Sequence, residues 1–274
     1  MTSADAYCRD LAIKHYENFA VASWIVPAHL RLDLMRFYAF CRTTDDLGDE
    51  SGSREAALAG LARWREETEA FFAGDEPVHP VLVALRDTVD RHGLDAQPFL
   101  DLIAANVQDQ TVLSYQTWPE LLGYCMLSAA PVGRVVLKIF GLDNAAARKL
   151  SDDVCIGLQL ANHAQDVTRD ATIGRSYLLQ EDIETSGAHG AVRALVERAR
   201  ALLASGESLE AMTRGALRLQ LALYRLGGLA ICDEIERIEF RTDVTRPSVS
   251  KATKVALLIR ATVALAQRNG RTAC

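Results

Sequence analysis

Apolar residues recur along this chain at intervals of three and four, with few alternating β-branched runs, and that period points to helices rather than strands. Breakers fall where helices should stop: Pro27, Gly52, Gly74 to Pro80, Gly93, Pro119, Gly141, Gly174, Gly187 and Pro247. Between them lie periodic stretches over 30–50, 53–73, 79–92, 96–114, 119–140, 144–171, 189–204, 207–239 and 248–268. Asp143 or Asn144 is placed to cap the helix over 144–171. No linker divides the chain and no repeat is apparent, so the expectation is one all-α domain over 1–274, with 248–274 a basic C-terminal helix or tail.

Two aspartate pairs carry the chemistry. Asp45 and Asp49 stand in CRTTDDLGDE, Asp166 and Asp170 in NHAQDVTRD. Residues four apart on a helix share a face, so each pair points two carboxylates one way, and like charges there repel unless a cation lies between them. If the two helices face each other across a cavity, the four carboxylates make a site for hard divalent cations. Mg²⁺ takes oxygen ligands, keeps much of its water and commonly joins a few carboxylates to a substrate phosphate. An enzyme acting on a diphosphate is the expectation.

Each pair has polar company in register. Tyr38, Arg42, Asp45 and Asp49 fall within about 60° of one another around a helix. Arg42 suits phosphate oxygens, with an ion pair to Asp45 or Asp46 as its structural alternative. In the second stretch Gln159, Asn162, Asp166 and Asp170 share a face, and Asn162 adds a neutral oxygen ligand. Arg169 and Arg175 supply positive charge for a diphosphate, whereas a helical histidine such as His163 is more often structural. A cavity that must hold a carbocation needs apolar and aromatic walls, for which Tyr38, Phe19, Phe37, Tyr115, Tyr124 and Tyr177 are candidates, with core packing the default for each.

Composition narrows the setting. The formal charge of −6 argues against a nucleic-acid partner. The six cysteines lack CxxC or regular spacing and read as reduced thiols of a cytoplasmic protein. The N-terminal stretch has no signal-peptide apolar core, and no run of about 18 uninterrupted apolar residues suggests a membrane span. The nearest candidates for one are LALYRLGGLAICD and KVALLIRATVALAQ. Residues 251–271 carry Lys251, Lys254, Arg260, Arg268 and Arg271 and no acid, which fits either a peripheral contact with the inner membrane surface or a closing helix with its basic face in water.

YAFCRTTDDLGDE resembles the first aspartate-rich motif of the squalene and phytoene synthase family, and NHAQDVTRDATIGRSYLLQED resembles the second. LLGYCMLSAAPVGRVVLKIFG is similar to the tyrosine segment between them, and the likeness runs from about residue 6 to about 240. The resemblance implies a class I isoprenoid (terpenoid) synthase bundle around a central cavity, a prenyl diphosphate substrate and Mg²⁺. It assigns Asp45, Asp49, Asn162, Asp166 and Asp170 to metal, Tyr38, Arg42, Tyr124 and Tyr177 to catalysis, and His15, Tyr16, Asn18, Gln159, Arg169 and Arg175 to substrate. Tyr16, Asn18 and the SAAPVG of 128–133 resemble the bacterial hopanoid-pathway branch that converts presqualene diphosphate to hydroxysqualene without NADPH. Formation of presqualene diphosphate or squalene from farnesyl diphosphate stands as the alternative, with phytoene synthesis third. The C-terminal anchor of eukaryotic squalene synthases is not expected. Two positions depart from the family: Leu179 stands for the usual proline, implying a less rigid loop after the second motif, and Ala130 stands for the asparagine of the nearest branch.

Overall fold

The computed structural model describes residues 2–14 and 26–271. In chain order the elements are α1 (Ser3–Lys14), α2 (Ala28–Asp49), α3 (Arg54–Ala73), α4 (Pro80–His92), α5 (Gln97–Asp109), β1 (Ser114–Tyr115), α6 (Trp118–Ser128) and α7 (Ala130–Ile139). They continue with α8 (Ala145–Gln165), α9 (Val167–Thr172), β2 (Ser176–Leu179), α10 (Gln180–Ala204), α11 (Gly206–Ala211), α12 (Gly215–Arg237) and α13 (Lys251–Arg271). Two compact units result: Met1–Thr111 with Leu127–Asn144, and Val112–Met126 with Ala145–Cys274.

The first unit is built on an aromatic lattice. Phe99 of α5 meets Phe40 at 4.9 Å, Phe72 at 5.1 Å and Phe37 at 5.6 Å between ring centroids. Trp64 of α3 packs on Phe40 at 5.1 Å, and its indole N–H donates to Thr44 Oγ1 at 2.9 Å, so a buried polar atom is satisfied inside the lattice. A second, ionic layer ties α1 and α4 to α2. Asp33 is fully buried yet receives Thr88 Oγ1 at 2.9 Å, both oxygens lie within 3.0 Å of Arg91 Nη1, and His92 Nε2 lies at 2.9 Å. Arg36 donates to Asp5 through Nε at 3.0 Å and Nη2 at 2.8 Å. Burial alone would lift the Asp5 carboxyl; the Thr2 amide and the Arg36 guanidinium reverse it and hold it below the ordinary carboxylate value.

In the second unit α8 packs on α10 at a glycine. A Cβ on Gly157 would lie 2.9 Å from Leu203 Cγ and 3.1 Å from the Ala199 carbonyl oxygen, so only glycine permits this approach. The strands β1 and β2 pair in parallel, Ser114 with Ser176 and Tyr115 with Leu179, and Ser176 N–H donates to Leu113 O at 2.8 Å.

The structure departs from the sequence expectations at several joints. Helix α1 precedes the first expected helix. The stretch 96–114 stops at Asp109 and continues into β1. The stretch 119–140 divides at Ala129, two residues before Pro131, which lacks the N–H that a continuing helix would donate one turn back. Helix α10 begins at Gln180 rather than 189 and kinks at Gly187, whose φ of 71° suits a residue without Cβ. The stretch 207–239 divides into α11 and α12. Leu179 does not lie in a loose loop; it is 1 % exposed and ends a paired strand. Among the described residues, Trp118–Ile139, the stretch shared by α6 and α7, is long and apolar enough by length and composition alone to cross a membrane, and half of its window is buried.

Candidate active site

The first acidic column sits on the C-terminal turns of α2. Leu34 and Phe37 bury its apolar flank, which turns Tyr38, Arg42, Asp45 and Asp49 outward. Helix α5 approaches this column closely: a Cβ on Gly48 would lie 2.6 Å from Asn106 Oδ1. That contact brings Asn106 Nδ2 to donate to Asp45 Oδ1 at 3.3 Å and Gln110 Nε2 to donate to Gly48 O at 3.1 Å. Asp45 reaches solvent, yet the protein around it desolvates the carboxylate and lifts it to about 6; the Asp49 and Asp46 charges add to the rise, and the Asn106 amide and Arg42 oppose it. A carboxylate so short of compensating charge is a fitting ligand for a hard cation.

Arg42 takes the alternative foreseen for it, pairing with Asp46 and with Glu50 at 2.7 Å. Desolvation raises the Tyr38 phenol, with Arg42 opposing and Asp45 and Asp46 reinforcing the rise. Phe37 belongs to the aromatic lattice.

The second column does not lie on one continuous helix, as expected over 144–171. Helix α8 ends at Gln165, and Asp166, at φ −98° and ψ 14°, opens the short α9. The backbone ladder nevertheless runs through the joint: Asp166 N–H donates to Asn162 O at 2.9 Å and Asp170 N–H to Asp166 O at 2.8 Å. Asn162, Asp166 and Asp170 therefore stay in one column, with Asn162 exposed and the two aspartates partly so. Arg175 N–H returns to Asp170 O at 2.9 Å across the Gly174 turn, while Arg169 is exposed and Gln159 half-buried.

A segment with no motif of its own is strapped onto this column. Arg246 pairs with Asp166, and its Nη2 donates to Gln165 Oε1 at 3.4 Å. Gln165 Nε2 donates to Pro247 O at 2.7 Å and Thr168 Oγ1 to Thr242 O at 2.5 Å. The segment starts at Glu239 and Phe240, both with positive φ (57° and 61°), a conformation that side chains other than glycine rarely adopt. Arg246 was missed because no local spacing marks it, and Asn106 and Gln110 because their partners lie on a distant stretch of chain. An amide pair four apart in AANVQDQ was the one available signal.

Beside the second column lies a cluster of rings. Tyr177 of β2 stacks on His163 of α8 at 3.6 Å with an 18° interplanar angle, and Tyr124 and Tyr115 stand 5.5 and 5.9 Å from Tyr177. All four are buried. Desolvation drives the His163 imidazole down to about 3, so it is neutral, and among the described residues its Nε2 has no hydrogen-bond partner. His15, Tyr16, Asn18 and Phe19 lie outside the described residues. Among the described residues no group of three or more His, Cys, Asp or Glu side chains is gathered closely enough to hold a metal ion. Each column therefore offers two carboxylates, leaving water and substrate oxygens to complete a cation's shell.

The squalene/phytoene synthase family model matches residues 13–253. The hydroxysqualene synthase of Sinorhizobium fredii is 33 % identical over 248 residues, which cover 89 % of this chain and 80 % of that protein. The phytoene synthase of Arthrospira platensis is 32 % identical over 272 residues, covering 87 % of this chain and 86 % of that protein. Among solved structures, the squalene synthase of Alicyclobacillus acidocaldarius is similar at a TM-score of 0.81 and 42 % identity, over 86 % of this chain and 94 % of that one.

Proposed function

Because this chain belongs to the squalene/phytoene synthase family, we propose that it converts presqualene diphosphate to hydroxysqualene with Mg²⁺. The observation that carries this reading is the likeness to a hydroxysqualene synthase over four-fifths of that protein's length. Overall the reaction is a hydrolysis. The carbon–oxygen bond breaks with its electron pair leaving on diphosphate, the cyclopropylcarbinyl cation rearranges, and water adds and loses a proton. No hydride is consumed, so no reductant is required.

Asp45 with Asp49, and Asn162 with Asp166 and Asp170, are the groups that would hold Mg²⁺. The metal supplies charge neutralisation as diphosphate leaves. The lifted Asp45 carboxyl fits that role, since a bound cation would restore its charged form. Arg246 is already on Asp166 and would add positive charge where a diphosphate brings negative charge, and Arg175 follows Asp170 across the Gly174 turn as a second candidate for that role. Tyr177, Tyr124 and Tyr115 supply π faces and exclude water from around a cation. The neutral His163 in their midst adds no repulsive charge.

A second reading, in which the chain joins two prenyl diphosphates, is favoured by the similarity to a phytoene synthase over 86 % of its length. Separate incubations with farnesyl, geranylgeranyl and presqualene diphosphates, each with Mg²⁺, distinguish the two. Turnover of presqualene diphosphate alone supports the proposal. Consumption of farnesyl or geranylgeranyl diphosphate without turnover of presqualene diphosphate replaces it with the condensing reaction.

A further inference from the structure

Helix α13 is apolar on two opposite faces, and among the described residues only one of them is covered. Ser250 opens the helix, its Oγ accepting from Thr253 N–H at 3.0 Å. Leu257 and Ala261 point to α12, where Ala261 is 2 % exposed and packs with Ala222 and Leu226. Val255, Ile259 and Val263 follow one another at intervals of four and span about 80° of the helix. Their centre lies about 180° from the Leu257–Ala261 direction. They are 57, 59 and 48 % exposed, a row of branched apolar side chains in water.

Charge frames this row. Lys251 stands about 40° to one side of Val255 and Arg260 about 60° beyond Val263, with both side chains exposed. Five of the chain's 30 basic residues lie in α13, whereas all 36 acidic residues precede it. A helix with an apolar stripe flanked by cations, on a protein of net charge −6, matches an anionic lipid interface. The stripe enters the acyl boundary and the lysine and arginine heads meet phosphates.

We propose that α13 is a membrane-docking helix that lays Val255, Ile259 and Val263 on an anionic bilayer surface, with Lys251 and Arg260 against the lipid phosphates. The proposal stands on this face alone and does not depend on which reaction the protein catalyses.

The test is flotation of the full chain with vesicles of phosphatidylglycerol and phosphatidylcholine in equal parts, and with pure phosphatidylcholine, in the absence of substrate. The expected result is binding to the anionic vesicles, weakened by about tenfold or more in 0.5 M salt. The Val255→Gln/Ile259→Gln/Val263→Gln variant should lose binding by about tenfold or more while keeping the wild-type helical circular dichroism. The Lys251→Gln/Arg260→Gln variant leaves the apolar packing untouched and should lose preference for the anionic vesicles, so the proposal can be checked even if the triple variant does not fold. No binding to anionic vesicles, or equal binding to neutral ones, overturns it. So does a concentration-dependent dimer that the triple variant abolishes without any vesicle binding, because the stripe would then be an interface between copies.

Discussion

Asp45 and Asp166 occupy equivalent places in their columns but differ in surroundings, and the difference decides what each substitution does. Asp45 has an amide and a second carboxylate for company; Asp166 has a guanidinium. Asp45→Asn and Asp166→Asn each remove one ligand charge, and turnover with Mg²⁺ is expected to fall by at least about 100-fold while far-ultraviolet circular dichroism stays unchanged. Retained activity in either would remove that aspartate from the metal set. His163 makes a pH prediction. Its folded-state value is depressed to about 3, so between about 6.5 and 3 the unfolded chain binds a proton that the folded chain refuses. Stability should therefore fall as pH drops through that window, by up to about 1.4 kcal/mol per unit from this group. His163→Phe keeps a flat ring against Tyr177 and should flatten that slope in urea titrations from pH 7 to 4; an unchanged slope would assign the acid sensitivity elsewhere. The columns themselves were legible, because four-residue spacing is a local property of the sequence. Their partners were not: Asn106 lies 61 positions from Asp45 and Arg246 lies 80 from Asp166.

At the scale of elements, two glycines on helices have opposite meanings. Gly157 faces the backbone of α10, whereas a Cβ at Gly123 on α6 meets nothing within 4 Å among the described residues. Gly157→Ala should lose about 1–3 kcal/mol to overpacking, partly offset by about 1 kcal/mol of helix propensity. Gly123→Ala should gain about 0.5–1 kcal/mol. Thermal melts of the two variants should therefore move in opposite directions, and a stabilised Gly157→Ala would mean that α8 and α10 are looser than they look. Sequence periodicity located most of the helices to within a few residues, as in 30–50 against Ala28–Asp49 and 53–73 against Arg54–Ala73. It missed the breaks at Ala129 and Asp166, which interrupt apolar patterns that continue on either side. Strands of two and four residues are too short to show a period, and β1 and β2 exist only through pairing across about 60 residues of chain. Helix α1 was overlooked because its charges hid the face that carries Ala4, Cys8 and Ala12 into the core.

For the whole molecule, the all-α expectation and the family assignment agree with the structure and with its neighbours, and the fold is that of the terpenoid synthases. The motifs were legible because each is a continuous segment. The strap from Glu239 to Pro247 onto the second column depends on how distant helices pack, which no single segment encodes. The proposed reaction is distinguished by its last bond, from water oxygen to carbon. The direct measurement is incubation of the purified protein with presqualene diphosphate and Mg²⁺ in ¹⁸O-water, without NADPH, followed by mass spectrometry of the C30 products. The expected product is hydroxysqualene carrying one solvent-derived ¹⁸O. Intact presqualene diphosphate, or a C30 product without solvent oxygen, would contradict it.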